Sequence, residues 1–274
     1  MHESWETSLG RTFEERFGSS ADRALTGRLA QVSAQWAQPL ERHVALANRV
    51  TDTILIVIEE QLGRPGFNDR SDGERVTLQI LAQMAGDIRA IIQLASAGLT
   101  YQAVTLAAST FERGMMLASI AGDDGRARKW LKHDNAKKNF EDLRSTVNQA
   151  LTHLDTTNYG LKDALGDPYE GMYQALCAFK HANPLVQRHI GQLDGALDVL
   201  ASVFPEPNRK SRIAASFALE AAVFAGWVSL VAICEAYVEK KRDLSDIING
   251  LNRARTELNV IRQQWESERD EHTR

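Results

Sequence analysis

Fourteen consecutive uncharged residues, Ala221 to Cys234 (AAVFAGWVSLVAIC), constrain this chain more than any other feature. A segment that is apolar on every side has to be enclosed, by the rest of the chain or by lipid. It falls short of the ~20 residues that a helix needs to cross the hydrocarbon core of a bilayer, so a buried core helix is predicted. The charged beginning, MHESWETSLGRTFEERFGSS, lacks the apolar stretch of a signal peptide. The expectation is a cytoplasmic protein without membrane contact.

Helical spacing dominates the remainder, and only 6 prolines and 18 glycines interrupt 274 residues. Leu25, Leu29, Val32, Trp36 and Leu40 recur at intervals of three and four. The stripe resumes through Val44, Ala47, Val50, Ile54 and Val57 to Leu62, with Pro39 expected to kink one helix or open a second. Leu81, Met84, Ile88, Ile91 and Ala95 mark the next helix, which stops at Gly98. Thr100 is a candidate cap for its antiparallel successor, Thr100 to Ile120, and Gly122-Asp-Asp-Gly125 closes that hairpin. Asp123 and Asp124 suit a helix N-terminus, and one long polar helix is expected from there to about Leu154. A further helix is predicted over Tyr169 to Ala182, while residues 190–210 allow either a short helix or a small hairpin. Leu244, Ile247, Leu251, Ala254, Leu258, Ile261 and Trp265 alternate threes and fours without a miss, a seam made to pack against its own core or a second copy. The fold class is therefore all-α, a multi-helix bundle of about eight or nine helices with a long C-terminal amphipathic helix. Residues 1–70 read as an N-terminal helical extension, 71–240 as a helical core domain and 243–274 as the amphipathic helix, or all three as one domain.

Several chemistries lack their motifs. The chain has no His-Glu-x-x-His, Glu-x-x-His, Cys-x-x-Cys, phosphate-binding glycine loop or Gly-x-Ser-x-Gly elbow. No metal or cofactor is expected. Cys177 and Cys234 are its only cysteines, both in apolar runs, and read as buried thiols. The net charge of −4 gives no global attraction to nucleic acid. Locally, however, Arg126 to Lys138 carries six Lys/Arg against one Asp. As one helix it would align Lys129, His133 and Lys137, with Arg128 and Lys132 beside them, able to touch phosphates or to form a solvated face balancing Asp123, Asp124 and Glu141. Arg126 and Arg128 also stand at Arg-x(4–6)-His spacing from His133, but 23 arginines and seven histidines produce about two such pairs by chance.

Glu112 and Arg113 are the only charges on Thr100–Ile120. A carboxylate on so apolar a helix needs a partner, since withdrawing an unpaired charge from water costs several kcal/mol. The best candidate is His181, at the end of Tyr173-Gln-Ala-Leu-Cys-Ala-Phe-Lys-His181, with Lys180 beside it as the alternative. Pairing Glu112 with either would fix helix register; alternatively Glu112, Arg113, Lys180 and His181 line a ligand or RNA site. Cys177 and His181, four apart, share a helical face, although a nucleophile and its base usually come from separate elements.

The hairpin LASAGLTYQAVTLAASTFERGMMLASI, a charged helix and then Tyr-x3-Cys-x3-His together resemble an uncharacterised bacterial all-helical family. Its pattern is a small-Gly…Ala…Leu-Arg-x-x-x-Glu helix pair followed by Tyr-x3-Ser-x3-His-Pro, and the resemblance covers about Leu78 to Val238. Glu112, Tyr173 and His181 fall on the family positions. Ala108 stands where an arginine is usual, Cys177 replaces the serine, and the proline comes late, at Pro184. The family is distantly similar to HEPN-like helical domains, some of them dimeric ribonucleases of bacterial toxin and antiphage systems. Two functions are therefore expected to compete. One is a non-catalytic helical interaction module, homodimeric through the terminal seam and placed in a bacterial defence or stress system. The other is a metal-independent ribonuclease or RNA binder, with His181 or His133 moving the proton, Arg113, Arg126 or Arg128 holding phosphate and Glu112 orienting the imidazole.

Overall fold

The computed structural model describes residues 21–64, 66, 69–134, 141–155, 169–180 and 209–237. These residues form seven α-helices and one π-helical turn, with no strand among them. In chain order the helices are α1 (Ala21–Leu62), α2 (Asp72–Ser96), α3 (Thr100–Ile120), α4 (Asp124–Leu131), α5 (Leu143–Asp155), α6 (Gln174–Lys180) and α7 (Arg209–Tyr237). The π-turn, Tyr169–Tyr173, leads directly into α6. Residues 190–208 and the expected terminal helix lie outside the described residues.

α7 is the axis. From Ala218 to Ile233 its apolar side chains are at most 4 % exposed except at the helix's few polar positions, because α1, α2 and α3 surround it. It carries the one described stretch long and apolar enough to span a bilayer, and 89 % of that window is buried inside the bundle. Two glycines set how closely the neighbours approach. A Cβ on Gly114 of α3 would lie 2.9 Å from the Ala225 carbonyl oxygen and 3.1 Å from its Cα. A Cβ on Gly226 would lie 2.6 Å from Val50 Cγ1 of α1 and 3.2 Å from Ile88 Cδ1 of α2. Side chains from α1, α2, α3 and α7 make one continuous hydrophobic core, centred on Ile54, Leu81, Ile88, Phe111, Met115 and Leu230.

The α2–α3 hairpin forms as expected and ends α2 with a Schellman turn. Gly98 adopts φ +81° and donates to Ala95 O, while Leu99 N–H reaches Leu94 O at 2.9 Å. Thr100 is the first helical residue of α3 and is buried; the cap position belongs to Leu99, which offers no side-chain acceptor. α1 passes through Pro39 as a single 42-residue helix, with the proline on its exposed face.

The polar helix expected from Asp124 to Leu154 is instead two. α4 stops at Leu131, where Lys132 and His133 fold back to the carbonyls of Arg128 and Trp130. α5 restarts under Asp142, whose carboxylate accepts from Ser145 N–H at 3.1 Å. Local capping by Asp142 thus overrides a composition that favours helix throughout.

One end of the bundle is tied by a polar junction. Ser71 caps α2 and Asp123 caps α4. Asp124 accepts from Gly73 N–H at 2.9 Å, and the Ser71 hydroxyl and that N–H hold its carboxyl below the usual range. The Tyr237 hydroxyl accepts from Gly122 N–H at 2.8 Å, and burial pushes its phenol up. Gly73 is required here, since a Cβ would sit 2.6 Å from the Tyr237 hydroxyl.

Replacing Gly114 by Ala forces backbone apart at the α3–α7 crossing, whereas at Gly226 the obstacle is the ends of side chains. Gly114→Ala is expected to lose about 1–3 kcal/mol and Gly226→Ala less, measured by urea unfolding. His43 of α1 is 8 % exposed, and neither ring nitrogen has a hydrogen-bond partner among the described residues. Burial lowers its pKa to about 4, so the folded protein keeps it neutral while the unfolded chain protonates near 6.5. Its contribution is therefore complete above about pH 6.5 and is lost as pH falls toward about 4. Stability should decline over that window by about 2–3 kcal/mol on this account, and urea midpoints of His43→Leu should show a correspondingly shallower pH slope.

Candidate functional site

Glu112 does meet a partner from the Tyr173–Lys180 stretch. Lys180 Nζ donates to its carboxylate oxygens at 2.8 and 3.0 Å, and the Tyr173 hydroxyl donates to Oε1 at 2.6 Å. Lys180 and Glu112 are 29 % and 30 % exposed, so the pair sits at the rim of the core rather than in its interior. His181, the other expected partner, lies outside the described residues.

The π-turn sets Tyr173 for this role. Its ring contacts Tyr169 at 5.4 Å and stacks on Phe111 at 5.5 Å, so the tyrosine joins the core stack of Phe111 and Phe224 while its hydroxyl reaches Glu112. Burial, then hydrogen bonding to Cys177 and Glu112, raises the Tyr173 phenol well above its ordinary value. The phenol therefore stays protonated and serves as a donor. Arg144 of α5 lies over the Tyr169 ring at 5.5 Å, extending the cluster to a third element. Cys177 is half-buried and unbridged, one turn beyond Tyr173.

The other expected residues are dispersed. Arg113 does not join Glu112 but forms an ion pair with Asp87 of α2. Arg126 pairs with Glu141, one of the acids expected to balance it. Arg128, Lys129, Lys132 and His133 are exposed along α4 and its end, but the helix has finished before His133, so the stripe Lys129–His133–Lys137 does not continue as a helical face. Lys137 lies outside the described residues. The structure thus joins Glu112 to Lys180 and Tyr173, and joins neither Arg113 nor the α4 cations to them. No group of three His, Cys, Asp or Glu side chains among the described residues is placed to hold a metal ion.

Asp87 and His43 are the polar residues that sequence reasoning passed over. Asp87 carried a usable signal, being the first charge after the uncharged run from Val76 to Gly86. Ala108 is fully buried in the core. No protein-family model, curated protein or solved structure matches the chain.

Chemically, the Glu112 cluster is a carboxylate clamped by one ammonium and one neutral phenol, tying α3 to the π-turn and α6. Glu112→Ala removes the carboxylate acceptor of the Tyr173 hydroxyl and the charge-assisted bonds to Lys180, and should lose about 1–3 kcal/mol. Lys180→Met removes a partly solvated ion pair and should lose about 1 kcal/mol or less. Urea unfolding of both variants checks the order.

Proposed function

We propose that this chain is a non-catalytic helical interaction module that works as a homodimer. The observation that carries the reading is the closure of Glu112: both carboxylate oxygens are taken by Lys180 and Tyr173, so the group braces two helices instead of standing ready as a base. Arg113 and Arg126 are similarly occupied by Asp87 and Glu141. The proposal includes eight or nine helices in all, the last being the amphipathic segment of residues 243–274. It also includes a cytoplasmic location away from membranes, which the enclosure of α7 by other helices supports. Self-association is supported by the seam Leu244–Trp265, which needs an apolar partner, and by exposed apolar side chains on α1.

The exposed cations Arg128, Lys129 and Lys132 favour RNA binding as a second reading, because solvent-facing positive charge is what releases counterions from phosphates. HEPN-like ribonuclease action through His181 or His133 belongs with that reading.

Light scattering from the full chain over a hundredfold concentration range should give twice the 30.5 kDa chain mass. Incubation with single-stranded and structured RNA should leave both intact, and His181→Ala and His133→Ala should behave like the parent. A monomer at every concentration overturns the dimer. RNA cleavage abolished by either histidine substitution overturns the non-catalytic reading in favour of the second.

A further inference from the structure

α4 supplies little of its own stability. Its 8 residues are too few for a helix to persist alone in water. Its inner side offers Ala127, the one buried residue of the helix, and half-buried Trp130 against the core. At about 100° per residue, Arg128, Lys129 and Lys132 fall within an arc of about 100° opposite Ala127, all three exposed. Like charges three and four residues apart on one face repel. Leu131, the last helical residue, is 53 % exposed and adds little burial.

Polar contacts hold α4 down instead, and they converge on a single residue of another helix. Asp124, at the start of α4, accepts from Gly73 N–H of α2 at 2.9 Å. Gly122, just before α4, donates its N–H to the Tyr237 hydroxyl at 2.8 Å. Both oxygens sit over Gly73: a Cβ there would lie 2.6 Å from the Tyr237 hydroxyl and 2.8 Å from Asp124 Oδ1. The last residue of α7, the first turn of α2 and the entry to α4 thus share one point of contact. Two hydrogen bonds break over a short displacement, whereas the core of α1, α2, α3 and α7 is lost only by exposing its continuous apolar interior.

We propose that α4 is a latched strap. It lifts from α2 as a unit when the Asp124–Gly73 and Gly122–Tyr237 bonds break, while the four-helix core stays folded. With the latch shut, α4 packs on α2 and carries its three cations at a fixed angle to the bundle. Once lifted, a segment this short loses its helical form, so Arg128, Lys129 and Lys132 no longer share a face. The cationic face therefore exists only while Asp124 and the terminal tyrosine of α7 are seated over Gly73. Its presence is controlled from the polar junction rather than from the hydrophobic core.

Native-state hydrogen exchange of the full chain, read by mass spectrometry at low urea concentrations, tests the strap. Amides of Ala127–Leu131 should exchange about tenfold or more faster than those of Val228–Ile233 at the centre of α7. Their rate should rise little with urea, because lifting α4 exposes little surface. Asp124→Ala and Tyr237→Phe should each speed exchange in α4 about tenfold. Gly226→Ala, which strains the core contacts of α7, should speed exchange at the centre of α7 and leave α4 unchanged. Exchange of α4 in step with α7, at the same dependence on urea, overturns the strap, and so does equal acceleration of both helices by Gly226→Ala. Unchanged α4 exchange in both Asp124→Ala and Tyr237→Phe overturns the latch.

Discussion

Everything in this bundle depends on enclosing α7. A helix with no polar face gains its stability only by being surrounded, at roughly 25 cal/mol for each Å² of apolar surface withdrawn from water. Small residues make the enclosure tight. Gly114 lets the α3 backbone reach the backbone of Ala225, and Gly226 one residue later admits Val50 and Ile88 from α1 and α2. Adjacent residues of α7 thus serve different neighbours, which explains why α1, α2 and α3 converge on the same level of the axis. Dispersion contacts fall off over fractions of an ångström, so this convergence is worth more than the hydrophobicity of the segment alone suggests.

Such a core tolerates polar groups on two different terms. Glu112 satisfies its carboxylate through elements remote in sequence, and it lies at the rim, where partial hydration limits the cost of burial. The gain is positional: a tyrosine anchored in the aromatic stack and a lysine at the end of α6 are held against one point of α3. His43 is the reverse case, enclosed without a hydrogen-bond partner among the described residues and kept neutral by desolvation. One group joins helices; the other makes folding sensitive to acid.

The legible part of the architecture follows from periodicity. The stripe Val32–Trp36–Leu40 and the hairpin signal at Gly98 are repeated patterns that any helical core must use, and they appear where the spacing puts them. Local competition was harder to read. Residues 123–154 have helical composition, yet the carboxylate of Asp142 and the backbone turn at Lys132 divide them, because capping acts through single residues that composition averages away. Thr100 shows the same limit: a residue type suited to capping is drawn into the helix because its side chain is buried there. At the site, the need of Glu112 for a remote partner could be inferred from its apolar surroundings, and Lys180 was among the partners so inferred. The π-turn that brings in Tyr173 could not, since it depends on one extra residue per turn and leaves no periodic trace.

The described charges separate into pairs near the core and patterns on the outer helix faces. The Glu112 carboxylate at the rim has its cation, Arg113 has Asp87 and Arg126 has Glu141, so charges near the core are matched locally. What remains on the outside is patterned by helix: an acidic flank beside an apolar stripe on α1, and cations along α4. Local neutralisation stabilises the fold without producing a far-reaching field, while exposed one-sided patterns discriminate between partners and orient them. In this bundle the core, through α7 and the helices that enclose it, holds those outer faces at fixed angles.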